Sequence, residues 1–146
     1  MTIANIVKSI QDIMRQDVGV DGDAQRIAQL VWMIFLKIFD DKEAELELLD
    51  EDYRSPIPEK YRWRNWAAND EGMTGDELLE FVNNELFPAL KELSDVEEGS
   101  RGYLVREVFQ DSYNYMKSGT LMRQVINKIN EIDFNSSEDR HLFNDF

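Results

Sequence analysis

Between residues 53 and 66 the sequence sets four cations, Arg54, Lys60, Arg62 and Arg64, against a single acid, Glu59. Tyr53, Tyr61, Trp63 and Trp66 are interleaved with them. Cations can neutralise phosphates of a nucleic-acid backbone while neighbouring rings stack or pack. Arg54, Lys60, Arg62, Arg64 and Trp63 are therefore candidate DNA contacts. A second reading is equally physical. The tryptophans could pin the segment to a core while the arginines pair with the acidic stretch 40–52. The residues alone leave both open.

Other chemistry finds no foothold. Glycines never fall closer than three positions apart, so no G-x-G turn is present to cradle a nucleotide or adenosyl group. No phosphate loop with a following Lys-Ser or Lys-Thr occurs. His141 is the sole histidine and cysteine is absent, which removes thiolate metal sites, disulfides and the usual nucleophile–base pairs. Residues 17–23 loosely follow a calcium loop, but Gly19 and Ala28 stand where carboxylates are required. A turn followed by a helix start explains them better. The acids of 40–52 could bind a cation or imitate DNA phosphates, although a solvated helix end is the simpler account.

The net charge of −14 bears on all of this. Nucleic-acid binders are usually basic, so contact with DNA would need a local patch or a basic partner. The longest apolar run, residues 30–39, is interrupted by Lys37 and is far shorter than the ~20 residues of a membrane span. No signal peptide is evident, and a cytoplasmic, membrane-free location is expected.

Helices must position these groups. Ile3, Ile6, Val7, Ile10, Ile13 and Met14 repeat at three- and four-residue steps, predicting a helix that ends near Gln16. Asp23 is placed to cap a second helix over 24–49, whose middle, residues 30–36, is apolar on all sides and should lie at the centre. Its acidic end opposes the helix dipole and is expected to fray or protrude into water. Pro56 and Pro58 imply an extended, partly ordered segment over 53–68. Thr74 and Glu77 match a capping box, and Pro88 should kink or divide the helix that follows. Residues 97–100 read as a surface connection, and 103–115 as a weaker helix broken near Asp111-Ser112. Ser118 should cap a helix with the stripe Leu121, Met122, Val125, Ile126, Ile129 and Ile132. A last helix opens after Ser137. The expectation is a single all-α domain over 1–146, an irregular bundle of about five or six helices around a buried central helix, with an extended loop containing proline and tryptophan.

Three stretches together resemble the N-terminal domain of type I restriction–modification methyltransferase subunits. Residues 30–40 look like the family's "FLKxLxD" helix, with Phe35-Leu36-Lys37 matching and Ile38-Phe39-Asp40 substituting within type. Pro58…Tyr61-Arg62-Trp63 follows an acidic helix end. Thr120-Leu121…Val125-Ile126-Asn127-Lys128-Ile129, closing with Ile132-Asp133-Phe134, resembles the helix before the catalytic domain.

The resemblance implies an accessory domain whose last residues begin the connection to an absent catalytic domain. That domain would carry S-adenosylmethionine and an Asn-Pro-Pro-aromatic motif for adenine N6 methylation on a flipped base. No Pro-Pro pair occurs in this chain, so no catalytic residue carries over and the chain alone is expected not to be an enzyme. The implied partners are a specificity subunit, a second methyltransferase subunit, a restriction subunit and double-stranded DNA gripped by the assembly. The alternative is a stand-alone acidic adaptor or DNA mimic. An independent small enzyme is a distant third.

Overall fold

The computed structural model describes residues 2–94 and 96–134. Helix α1, Ile3–Met14, is capped by Thr2, whose hydroxyl accepts from the Asn5 amide at 3.3 Å. It buries Ile3, Ile6, Ile10 and Met14, the stripe expected from the spacing. After a 3₁₀ turn at Val18–Val20, helix α2 runs over Asp23–Leu49, a rod of about 40 Å at 1.5 Å per residue. Asp23 is not its cap. Gly22 holds that position without a side-chain bond, while Asp23 lies in the first turn and pairs with Arg26.

Trp32, Met33, Leu36 and Phe39 of α2 are buried, as a central helix requires. The apolar wrap is nonetheless not buried all round: Ile27, Val31 and Ile38 remain 59%, 55% and 39% exposed. They follow at steps of four and seven, one ridge along the outer side of the rod. The acidic end does not fray but does protrude, with Leu48 and Leu49 exposed. It stays helical to Leu49 because cations from the next segment lie across it.

That segment is more ordered than its prolines suggest. A 3₁₀ turn at Glu59–Tyr61 leads into a single helical turn, α3, Trp63–Trp66. Helix α4, Gly75–Phe81, passes without a break through a π-helical turn, Val82–Leu86, into α5, Phe87–Lys91. The division expected at Pro88 takes the form of this wide turn, in which the Phe87 amide bonds the Val82 carbonyl, and Pro88 falls in the first turn of α5, where a residue without a donor is tolerated. Thr74 occupies the cap position of α4 but its side chain makes no cap bond, so the capping box does not form.

Ser100 caps α6, Arg101–Gln110, by accepting from the Tyr103 amide at 3.2 Å. Ser118 caps α7, Gly119–Ile129, by accepting from the Leu121 amide at 3.1 Å. Taking α4, the π turn and α5 as one run, the described residues form six helical units and no strand. α7 packs against both α1 and α4, α5 packs on α6, and α2 touches α3 and α7. Gly119 is required where α7 meets α4, since a Cβ there would fall 1.8 Å from the Gly75 carbonyl oxygen. The helix expected after Ser137, with His141, lies outside the described residues.

Candidate functional site: the basic–aromatic segment

The candidate cations meet α2. Asp40, Glu43 and Glu47 stand three and four residues apart and so share one helix face. Arg62 is buried against it. One terminal nitrogen bonds Glu47 and faces Glu43 at 3.6 Å, while the other donates to Glu59 at 2.9 Å. Arg64 donates to Asp40 at 2.9 Å and to Glu47 at 2.8 Å. The Tyr53 hydroxyl completes the cluster by donating to the buried Glu43 carboxylate at 2.7 Å.

The electrostatics follow from these contacts. Hydrogen bonds from Arg64 and then Arg62 hold the Glu47 carboxyl below its ordinary 4.5. Burial works against the charge on Arg62, but bonds to Glu47 and Glu59 outweigh it and raise its pKa above the usual arginine value. Burial, with Glu43 adding to it, pushes the Tyr53 phenol upward. The shifts of Glu47, Arg62 and Tyr53 therefore each favour the charge state that suits the pairing.

The aromatic half is equally occupied. Trp63 is buried and its indole N–H donates to Asn130 Oδ1 at 2.8 Å, tying the segment to the end of α7. Trp66 donates to the Tyr61 carbonyl at 3.1 Å and meets Trp63 edge-on, with ring centroids 5.4 Å apart. Lys60 pairs with Glu85 in a more exposed setting, and its pKa is raised by that contact. Arg54 is exposed and donates only to the carbonyl of neighbouring Tyr53. The structure thus brings Arg62, Arg64 and Trp63 together on α2 and α7 and leaves Arg54 and Lys60 on the outside.

Three buried polar residues gave no comparable signal in the sequence. Arg123 donates to the carbonyls of Trp66, Ala67, Asn69 and Met73 at 2.8–3.1 Å and fixes the loop after α3. Burial depresses its pKa. Asp17 accepts from the amides of Gly19, Lys117 and Ser118. Gln29 donates to Asn114 and accepts from the Tyr115 amide. Each lies among apolar residues on a helix or in a turn, where local pattern gives no hint of a partner 50 to 100 positions away.

These features define a helical packing domain whose buried arginines and acids organise its own loops. The chain belongs to the HsdM N-terminal domain family, whose model matches residues 3–129. It is 63% identical over 146 residues to the type I restriction enzyme EcoEI methylase subunit of Escherichia coli, covering 99% of this chain and 30% of that protein. Among solved structures it is similar to a chain described as a modification subunit of a type I restriction enzyme from Vibrio vulnificus YJ016. The TM-score is 0.84 and the identity 41%, covering 95% of this chain and 32% of the other. A chain from a study of complex assembly and conformational transition in the type I R-M system matches with a TM-score of 0.78 and 33% identity. It covers 94% and 27% respectively. The chain therefore spans about 30% of the length of the curated relative.

Proposed function

We propose that this domain is the assembly element of a type I DNA adenine-N6 methyltransferase subunit, docking on the rest of that subunit and helping it close around double-stranded DNA. The observation that carries the reading is the exposed ridge of α2. Ile27, Val31 and Ile38 face outward beside half-buried Phe35, and α6 adds Leu104 at 48% exposure. The Phe35 ring meets Phe109 of α6 at 6.4 Å and Arg101 lies 4.4 Å over Phe39, so α6 touches α2 through these side chains. An apolar face of this kind marks a protein interface rather than a solvated surface.

Membership in a family of N-terminal domains supports an occupant from the same system. The described chain reaches Phe134 with that ring against Lys37 of α2, one position from Ile38 of the ridge. The specificity, second methyltransferase and restriction subunits are assigned as partners on the strength of the family, and the cytoplasm as the location.

S-adenosylmethionine belongs with the remainder of the subunit on this reading. The clefts among the described residues lack the close-spaced glycines that let a backbone approach such a cofactor. No helix among the described residues is long and apolar enough to cross a membrane.

The test is a pair of full-length subunits, with and without residues 1–134, each combined with the specificity subunit. The shortened form is expected to bind S-adenosylmethionine but to lose stable assembly and DNA retention. Equal assembly and equal DNA retention by the two forms would overturn the proposal.

A further inference from the structure

Among the described lysines, Lys37, Lys42, Lys60 and Lys128 each pair with a carboxylate, whereas Lys8, Lys91 and Lys117 pair with none of the described residues. Two of these three line the same cleft. An open depression of about 540 Å³ lies between α5 and the extended segment before α7, with Lys91 on one wall and Lys117 on the other. Each ammonium lies 5.9 Å from a ring centroid, Lys91 over Phe87 and Lys117 over Tyr113. The Tyr113 ring is 55% exposed.

The floor of this cleft is built rather than incidental. Asn114 is buried. Its amide nitrogen donates to Asn83 Oδ1 at 2.8 Å, and its oxygen accepts from Gln29 of α2 at 2.9 Å. The Lys117 amide is held at 3.0 Å by the Asp17 carboxylate, and the Lys91 carbonyl accepts from Gln110 at 2.7 Å. Both lysine side chains therefore spring from fixed backbone. They project into a space whose one acid is Glu92 on the rim.

We propose that this cleft receives the phosphodiester backbone of DNA, Lys91 and Lys117 each neutralising a phosphate beside the exposed Tyr113 ring. The proposal rests on the reading of the domain as a DNA-closing element and moves the contact away from the basic–aromatic segment, where Arg62 and Arg64 are already paired. Uncompensated ammonium groups are what phosphate binding needs, because released counterions drive it. Arginines held by two or three carboxylates would first have to leave them. Two such contacts position a duplex without reading its sequence.

The experiment uses the full-length subunit assembled with its specificity subunit, and a duplex containing the recognition site, titrated over a range of salt. Lys91→Gln with Lys117→Gln is expected to weaken binding roughly tenfold or more near 0.1 M salt. The slope of log affinity against log salt should fall by about 1.8, at roughly 0.9 per phosphate. Lys8→Gln, which removes an uncompensated lysine outside the cleft, is expected to change neither. Glu92→Gln is expected to tighten binding. Unchanged affinity and slope in the double variant, with residues 1–134 still required for DNA retention, would overturn the cleft and leave the domain's role intact. If deleting residues 1–134 has no effect on DNA affinity either, both ideas fall. Loss of subunit assembly in the double variant, at unaltered salt slope, would make the cleft a protein contact and also overturn the proposal.

Discussion

The amide of Ser118 donates a 2.8 Å hydrogen bond to the carboxylate of Asp17, closing a loop of 101 residues between the end of α1 and the start of α7. The same carboxylate accepts from Lys117 at 3.0 Å and from Gly19 at 2.8 Å, and Asp17 is buried. A single acid thus satisfies three amides that have no other partner within a helix or turn. It also orients Ser118, whose hydroxyl caps α7.

Asp17→Ala is expected to cost about 3 kcal/mol, because it strands buried donors that had bonded a charged group. For a domain of this size the melting temperature should fall by roughly 6–12 °C. Calorimetry reads this directly, and Asp17→Asn should lie between the variant and the wild type. A melting temperature within a degree of wild type for Asp17→Ala would show that the amides find other partners.

Arg62→Ala should destabilise the domain by roughly 3–5 kcal/mol, the usual cost of leaving a buried carboxylate, here Glu43, without its cation. Arg64→Ala should cost less, since Arg64 is partly exposed. Urea denaturation separates the two. The pair of measurements also decides between the readings of the basic–aromatic segment. Unchanged stability with weakened DNA binding in Arg62→Ala would restore that segment as a DNA contact.

The lowered Glu47 carboxyl gives a pH signature. Its folded-state pKa lies below the ordinary 4.5, so its ionised form contributes stability that is fully present above that value. The contribution is lost as pH falls through the folded pKa. Glu47→Gln should therefore be less stable than wild type at pH 7, and the gap should narrow as pH drops below about 4.5. Melting temperatures at pH 7 and at pH 3.5 check it, and a constant gap would refute the assignment.

On the ridge, Ile27→Ser and Val31→Ser should shift the stability of this domain by less than about 0.5 kcal/mol each, because both residues are more than half exposed. In the full-length subunit the same changes should raise amide exchange along α2 and weaken assembly. Exchange along α2 that is equal in the domain and in the full subunit would mean that nothing covers the ridge there.

Local chemistry made the regular parts of this fold readable. The stripe from Ile3 to Met14 gave α1 its length, and Ser118 announced α7, because a cap and a periodic face are properties of neighbouring residues. Distance in sequence hid the rest. The acids after Asp40 look like a poor helix end until Arg62 and Arg64 arrive from 15 to 24 positions on. Thr74 and Glu77 have the spacing of a capping box, yet Gly75 enters at φ +60° and the bond is not made. The cations and rings of segment 53–66 make it unusual in this acidic chain, but composition does not show which way the arginines turn. The lysines of the proposed cleft are invisible for a related reason: Lys91 and Lys117, 26 positions apart, are distinguished by lining one cleft without a carboxylate partner, which only the fold brings about.

The packing of α1 on α7 has a consequence for synthesis. Helix α1 leaves the ribosome more than a hundred residues ahead of its partner α7, and Asp17 waits for amides that follow a hundred residues later. Until about residue 130 is free of the exit tunnel, the apolar stripe of α1 has nowhere to go and the core stays open. Contacts of such sequence separation are made late and slowly. Until α7 emerges, Ile6, Ile10 and Met14 lack the helix that packs against them, a window in which chaperones, rather than the domain's own final stability, bear on its yield.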